Sequence, residues 1–357
     1  MMPVRFLSGD LPRGRVLMAL LIAIAAGLAL APFLFPGAKA LNVAAKICIF
    51  IVLVASFDLL LGYTGIFSFA HTMFFGIGAY GVAIALNGLG PTWTAVAAGL
   101  GGALVLSLAL SLVIGLFSLR VKAIFYAMIT LAVATAFQTL ASQMSDFTGG
   151  EDGLSFKVPE LLSSAFSLSD KPFLGVSLDG RLIAYYLLAA ATLVLFLVML
   201  RIVNSPFGRV LQAIRENPFR AEALGYRTVV YRTASNVLSA GFATLAGAML
   251  ALWLRYNGPD TSLSFEIMMN ILLMVVIGGM GTMYGAVVGT TLFIIAENYL
   301  QDLLKLASGA ASGVPVLRGV VDPDRWLLWL GLLFVLSVYK FPAGIVGKLR
   351  ARLRGAG

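Results

Sequence analysis

Two membrane-length apolar runs decide the fold: LIAYYLLAAATLVLFLVML at residues 182–200 and TASNVLSAGFATLAGAMLALWL at residues 233–254. A helix rises about 1.5 Å per residue, so about 20 apolar residues cross the roughly 30 Å hydrocarbon core of a bilayer. The polar stretch SPFGRVLQAIRENPFRAEALGY lies between the two runs, at residues 205–226. Two apolar spans joined by a polar loop are typical of a polytopic helical membrane protein.

The composition extends this interpretation to the whole chain. Of the 357 residues, 60% are hydrophobic and only 11% are charged, whereas soluble globular proteins carry about 25% charged residues. We therefore expect an all-α, polytopic transmembrane helical bundle of about ten spans. The expected spans are 16–35, 41–61, 69–87, 93–117, 123–143, 182–200, 233–254, 266–280, 283–300 and 326–341.

The lysines and arginines predict the orientation of the bundle. Six of them lie in the loop 201–232 and five in 340–354, and the positive-inside rule places such clusters in the cytoplasm. The acidic stretch 145–181 then forms an external loop, and the net charge of +9 reflects membrane topology rather than a nucleic-acid partner. The predicted organisation is a cytoplasmic basic tail at 1–15, a transmembrane domain at 16–341 and a second cytoplasmic basic tail at 342–357.

The centre of the cytoplasmic loop predicts two short helices. Ser205 can cap a first helix that begins at Pro206, where the missing N–H costs nothing. Asn217-Pro218 repeats this signal for a second helix, and Gly225 supplies its stop. An apolar stripe follows the helical period at Phe207, Val210, Leu211 and Ile214. Such a loop either binds a cytoplasmic partner or lies on anionic lipid as a basic interfacial segment.

The stretch from Leu61 to Tyr80, LGYTGIFSFAHTMFFGIGAY, predicts a broken helix at membrane depth. Unwound backbone survives there only where protein or a polar cavity satisfies its hydrogen bonds. The alternative is a helix that starts with a Ser68 cap and uses Gly76 and Gly78 for close packing. The candidates for lining a translocation path are Gly65, Ser68, His71 and Thr72.

The chain offers no catalytic machinery of its own. A single histidine and a single cysteine, Cys48, exclude a metal cluster, a disulfide framework and a redox pair. The segment 344–348, GIVGK, lacks the spacing and the hydroxyl of a phosphate-binding loop. Asp58 and Glu297 lie near predicted span ends, where they either act within the membrane or reach its interface. We expect a transport subunit driven by a separate ATPase, with an ion-coupled secondary transporter of small solutes as the alternative.

Four motifs stand in order along the chain. They are LGYTGIFSFAHTMFFGIGAY at 61–80, TGGEDGL at 148–154, SPFGRVLQAIRENPFRAEALGY at 205–226 and MMNILLMVVIGGMGTMYGAVVG at 268–289. In this order, and from about Leu41 to Leu300, the chain resembles the permease subunits of the branched-chain (hydrophobic) amino-acid ABC importer family, of the LivM type. In that family the third motif is the loop that couples the permease to its ATPase.

The resemblance implies an importer in the bacterial inner membrane. It would contain two permeases, of which the second is a LivH-type paralogue, two cytoplasmic ATPase subunits and a periplasmic binding protein that meets the external loop. Its path would carry branched-chain amino acids or related small solutes. This chain would hold no cofactor, because ATP and Mg bind to the partner subunits. The residues implied in the ATPase contact are Arg215, Glu216, Asn217, Ala221 and Gly225.

Overall fold

The computed structural model describes residues 14–34, 37–118, 123–163, 166, 179–310 and 322–354, and these are almost entirely helical. The helices are α1 Arg15–Leu34, α2 Ala38–Thr64, α3 His71–Leu89, α4 Trp93–Ser118, α5 Ala123–Gln143, α6 Ser145–Thr148, α7 Gly180–Asn204, α8 Pro206–Glu216, α9 Pro218–Ala223, α10 Thr228–Leu254, α11 Pro259–Ser262, α12 Phe265–Gly278, α13 Met283–Ala310, α14 Trp326–Lys340 and α15 Gly344–Arg354. Most of the predicted amino-terminal tail and part of the predicted external loop lie outside the described residues.

The predicted helical bundle is confirmed. Each expected span coincides with a helix, and within the described parts of the chain nine helical stretches are long and apolar enough to cross a membrane. The span expected at 283–300 is α13, which is 28 residues long and is not one of the nine. Its second half carries Glu297, Asp302 and Lys305, which lower the hydropathy of the helix.

Helix α2 forms the centre of the bundle. In its most apolar 18-residue window 94% of the residues are buried, against 17% in α1 and 11% in the stretch that contains α14. Helices α7, α10, α12 and α13 all pack against α2. The apolar residues of α1 and α14 therefore remain on the periphery, where lipid or a partner can cover them.

Helices α3 and α10 approach each other closely because glycines face the contact. A Cβ atom placed on Gly78 would lie 1.9 Å from the carbonyl oxygen of Thr244, and one on Gly247 would lie 1.8 Å from that of Phe75. Small residues allow such backbone contact between membrane helices. Close packing by the glycines of the stretch from Leu61 to Tyr80, part of the alternative interpretation of that stretch, is confirmed at Gly78.

The predicted external loop folds onto the end of α10. Strand β1, Leu154–Ser155, pairs antiparallel with β2, Tyr256–Asn257. The Arg255 guanidinium also donates a 2.7 Å hydrogen bond to the carbonyl oxygen of Leu162. These contacts fix the described part of the loop against the bundle.

Candidate functional site

Helices α8 and α9 begin as the sequence predicts. The Ser205 Oγ accepts a hydrogen bond from the Gly208 N–H at 3.4 Å, and the Asn217 side chain accepts one from the Arg220 N–H at 3.0 Å. In both helices proline occupies the first turn. After α9 the chain turns at Gly225, where φ is +90°, so the predicted glycine stop is confirmed as well.

The apolar stripe of α8 seats this helix on the bundle. Leu211 and Ile214 are fully buried, and the ring of Phe207 stacks on Tyr231 of α10 with their centroids 5.7 Å apart. Helix α8 packs against α2, α7 and α10. Burial contributes about 1.5–3 kcal/mol for each large apolar side chain, so this stripe is sufficient to hold α8 in place.

Arg215, at the end of α8, reaches the end of α2. Its guanidinium Nη1 donates a hydrogen bond to the carbonyl oxygen of Gly62. The last carbonyls of a helix lack partners within the helix and attract a cation. Gly65 ends α2 with φ +74°, and a Cβ placed there would lie 3.2 Å from Cγ of Arg215. Helix α8 therefore touches the break between α2 and α3 directly.

The turn between α12 and α13 meets the same point. Oδ1 of Asp58, a buried residue of α2, accepts a 2.8 Å hydrogen bond from the Gly281 N–H. A Cβ on Gly281 would lie 2.7 Å from Nη1 of Arg215 and 2.9 Å from the carbonyl oxygen of Gly62. We call this cluster of Asp58, Gly62, Arg215 and Gly281 the Arg215 junction. It joins three segments that are far apart in sequence.

Charge also favours this cluster. The positive charge of Arg215 and the backbone N–H groups of Gly281 and Thr282 all act on the Asp58 side chain. An unpaired buried carboxylate is costly. Arg215 and the Gly281 N–H lower that cost, so the contacts with α8 and with the α12–α13 turn both stabilise this end of α2.

The five residues predicted to contact the ATPase differ in their exposure. Glu216 and Gly225 are exposed, Asn217 is partly buried as the cap of α9, and Ala221 is buried within the chain. Arg215 is exposed too, although its guanidinium reaches the Gly62 carbonyl oxygen. The exposed apolar side chains of the pair are Phe219 and Leu224, which are 81% and 72% exposed.

Sequence reasoning missed Phe219 and Leu224. The available signal was two large apolar residues outside the stripe of α8, in a loop that is otherwise polar. Exposed apolar groups on a surface rimmed by charge mark interaction sites. The role of the predicted ATPase-contact residues stays a prediction. Phe219 and Leu224 are two further candidates for the same contact.

The predicted path residues divide into two groups. Gly65 lies beside Arg215. The other three, Ser68, His71 and Thr72, are buried inside the bundle. The His71 Nε2 lies 2.8 Å from the Ser56 Oγ and 3.3 Å from the Leu53 carbonyl oxygen. These contacts give His71 a structural bond to α2, and its place on a path stays a prediction.

The segment between α2 and α3 is unwound, as predicted. Residues 65–70 adopt no helix, and the Phe69 N–H donates to Thr130 Oγ1 of α5 at 3.1 Å. The alternative of a helix capped by Ser68 is wrong in its detail, because α3 begins at His71 and its cap position is Ala70. Ser68 Oγ accepts from the Ala70 N–H instead. Protein groups thus satisfy the exposed backbone at this depth.

A bundle of membrane-length helices, with an amphipathic helix pair packed against its central helix, defines a polytopic helical membrane protein. The chain belongs to the family described as the branched-chain amino acid transport system permease component, whose sequence model matches residues 39–338.

Individual relatives agree with this family. The chain is 29% identical over 327 residues to the high-affinity branched-chain amino acid transport system permease protein LivM of Salmonella typhimurium strain LT2, covering 87% of this chain and 74% of the relative. It is 27% identical over 250 residues to the probable LivM of Methanocaldococcus jannaschii, covering 68% and 67%. LivH of Salmonella typhimurium strain LT2 is 23% identical over 246 residues, covering 68% and 78%. No solved structure gives a significant match.

Proposed function

We propose that this chain is the transmembrane permease subunit of an ATP-driven importer in the bacterial inner membrane, with both termini in the cytoplasm. A LivH-type paralogue is the second permease, two cytoplasmic ATPase subunits bind ATP and Mg, and a periplasmic binding protein delivers the solute. The solutes are branched-chain amino acids or related small molecules. The names of the relatives support the transport system, and the basic loop 201–232 supports the orientation.

The hydrogen bond from Arg215 to the Gly62 carbonyl oxygen carries this proposal. It connects a surface loop to the end of the most buried helix of the bundle. Coupling between an ATPase and a transport path requires a continuous, rigid contact that has two arrangements. The Arg215 junction supplies the continuous contact, because α2, α8 and the α12–α13 turn meet there.

In this mechanism the ATPase subunits bind the exposed face of the α8–α9 pair. Glu216, Phe219 and Leu224 make the contact. The buried apolar stripe of α8 keeps this helix packed on the bundle, so that α8 and the helices beneath it move together. Arg215 then transmits the movement to α2 and to the α12–α13 turn. The unwound segment 65–70 follows α2 directly, so a displacement of α2 reorients the start of α3.

Reconstitution tests the proposal. The chain, purified with its partner subunits and placed in proteoliposomes, is expected to take up leucine only with ATP on the ATPase side and the binding protein on the other side. A complex whose ATPase cannot hydrolyse ATP serves as the control. Uptake by this chain alone, driven by an ion gradient, would contradict the proposal and establish a secondary transporter.

A further inference from the structure

A large cavity with charged and apolar lining residues opens at the other end of α2. Its volume is about 810 Å³, and it lies between α2, α7, α10, α12 and α13. Lys46, in its lining, is 16 positions before Gly62 in the same helix, which corresponds to about 24 Å along the axis at about 1.5 Å per residue. The predicted path residues Gly65, Ser68, His71 and Thr72 do not line it. The cavity is therefore a separate feature from the Arg215 junction.

The lining combines both signs of charge with an apolar wall. Three cations and three anions contribute to it, and the apolar part includes Phe50, Trp253 and Met274. The charged lining residues are Lys39, Lys46, Arg181, Asp260, Glu266 and Glu297. Charged side chains within membrane helices are costly and generally serve a function. Small-molecule sites commonly have volumes of about 300–1,000 Å³, so this cavity has the size of a binding chamber.

One ion pair crosses the cavity wall within the membrane helices. Lys46 Nζ of α2 and Glu297 Oε2 of α13 are 2.9 Å apart, and their side chains are 37% and 21% exposed. The ammonium of Lys46 also lies 5.7 Å from the ring centre of Phe50. Both charged groups are thus accessible from the cavity and lie next to an apolar surface.

A second pair and a fixed arginine surround this central pair. Lys39 contacts Asp302 with both side chains about half exposed. Arg181 donates a 2.8 Å hydrogen bond to Asn42 and lies 5.5 Å from the ring centre of Trp253. Arg181 has protein partners for its charge, and the Lys39 pair is solvated. The Lys46–Glu297 pair is more buried than the Lys39–Asp302 pair. Electrostatic attraction to a charged ligand is therefore stronger at Lys46 and Glu297.

Resting on the proposed function, we propose that this cavity is an outer binding chamber for a free amino acid with an aliphatic side chain. The carboxylate of the ligand binds the Lys46 ammonium, and its ammonium group binds the Glu297 carboxylate. The ligand separates the two side chains and replaces one ion pair by two, so the charges in the cavity remain balanced. Phe50, Trp253 and Met274 bind the aliphatic side chain.

Binding to the assembled complex tests this assignment. The complex, held in lipid nanodiscs without nucleotide, is titrated with L-leucine, with isoamylamine, which lacks the carboxylate, and with 4-methylpentanoate, which lacks the ammonium group. We expect wild type to bind leucine at least tenfold more tightly than either analogue. Lys46→Gln should weaken leucine binding at least tenfold and leave isoamylamine nearly unaffected. Glu297→Gln should weaken leucine binding equally and leave 4-methylpentanoate nearly unaffected.

Lys305→Gln is the matched control, since it removes an exposed lysine of α13 that faces Asp302 and does not line the cavity, and it should keep the leucine Kd within about twofold. An absence of leucine binding in wild type would overturn the assignment, and so would leucine affinities in Lys46→Gln and Glu297→Gln that equal wild type. Equal losses for leucine and both analogues would do so as well, because they indicate a purely structural ion pair.

ATP-dependent uptake of leucine, measured in parallel, tests the proposed function separately. An absence of uptake in wild type would overturn the proposed function. Uptake at the wild-type level in both variants would overturn only the assignment of the chamber.

Discussion

The guanidinium of Arg215 donates a hydrogen bond to the carbonyl oxygen of Gly62, 153 positions earlier in the chain. This bond attaches an amphipathic surface helix to the central helix of the bundle. Leu211 and Ile214 hold α8 in place independently of the bond, with about 1.5–3 kcal/mol for each buried side chain. A hydrogen bond to a charged group contributes about as much as one such side chain. The Arg215 bond can therefore be removed without unseating the helix.

Phe219→Ser should weaken binding of the ATPase subunits at least tenfold. Phe219 is the most exposed apolar residue of the α8–α9 pair, and aromatic anchors dominate interface energies. Co-purification of the ATPase with the permease in detergent measures the effect. Gln212→Ser, at an exposed position of α8, is the control and should retain the ATPase. Full retention in Phe219→Ser would remove this residue from the interface.

Gly65→Leu should reduce coupling through its effect on Arg215. Gly65 has φ +74°, and a Cβ there meets the Arg215 side chain at 3.2 Å. A larger residue is strained and displaces the guanidinium from Gly62. We expect an assembled complex that hydrolyses ATP with little uptake. If uptake fell only in proportion to hydrolysis, Gly65 would not act through the junction.

Gly225→Val should destabilise the end of α9 by about 1–2 kcal/mol, because a β-branched residue disfavours the left-handed region. The observed φ is +90°, and a Cβ would meet no atom within 4 Å, so backbone strain is the only expected cost. Protease sensitivity of the loop measures this effect. Gly225→Asn is the matched variant, since asparagine tolerates positive φ, and it should resemble wild type. Equal protease sensitivity of Gly225→Val and wild type would contradict the strain argument.

The predicted orientation places the α8–α9 pair and residues 145–181 on opposite sides of the membrane. Single cysteines at the exposed positions Gln212 and Glu151, in a Cys48→Ala background, test it with a membrane-impermeant maleimide. Cells should label at Glu151 when intact and at Gln212 only after permeabilisation. Labelling of both positions in intact cells would contradict the topology.

The sequence was sufficient for the spans and for the local shape of the loop. Apolar runs of membrane length gave the helices, because hydrocarbon demands internally satisfied backbone. Ser205 and Asn217 gave the starts of α8 and α9, because capping depends only on neighbouring residues. Gly225 likewise marked its turn. These features follow from interactions within a few residues.

Long-range polar contacts could not be predicted in this way. Arg215 lies beside the apolar stripe of α8, and nothing in the helical period indicates that its guanidinium reaches Gly62. Lys46 and Glu297 are 251 positions apart. Of the two, only Glu297 is a candidate from the sequence, because it is an acidic residue near the end of a predicted span. Lys46 also interrupts a predicted span, 41–61, and that charge was the signal for the cavity. Which charges meet depends on how the helices pack.

The central claim is that Arg215 couples the ATPase to the transport path. The most direct test is the number of ATP molecules hydrolysed per leucine imported by the reconstituted complex, compared between Arg215→Ala and Arg209→Ala. Arg209 is an exposed arginine of the same helix and serves as the matched control. We predict that Arg215→Ala keeps its bound ATPase but raises this ratio at least tenfold, while Arg209→Ala leaves it at the wild-type value. A wild-type ratio in Arg215→Ala would contradict the account.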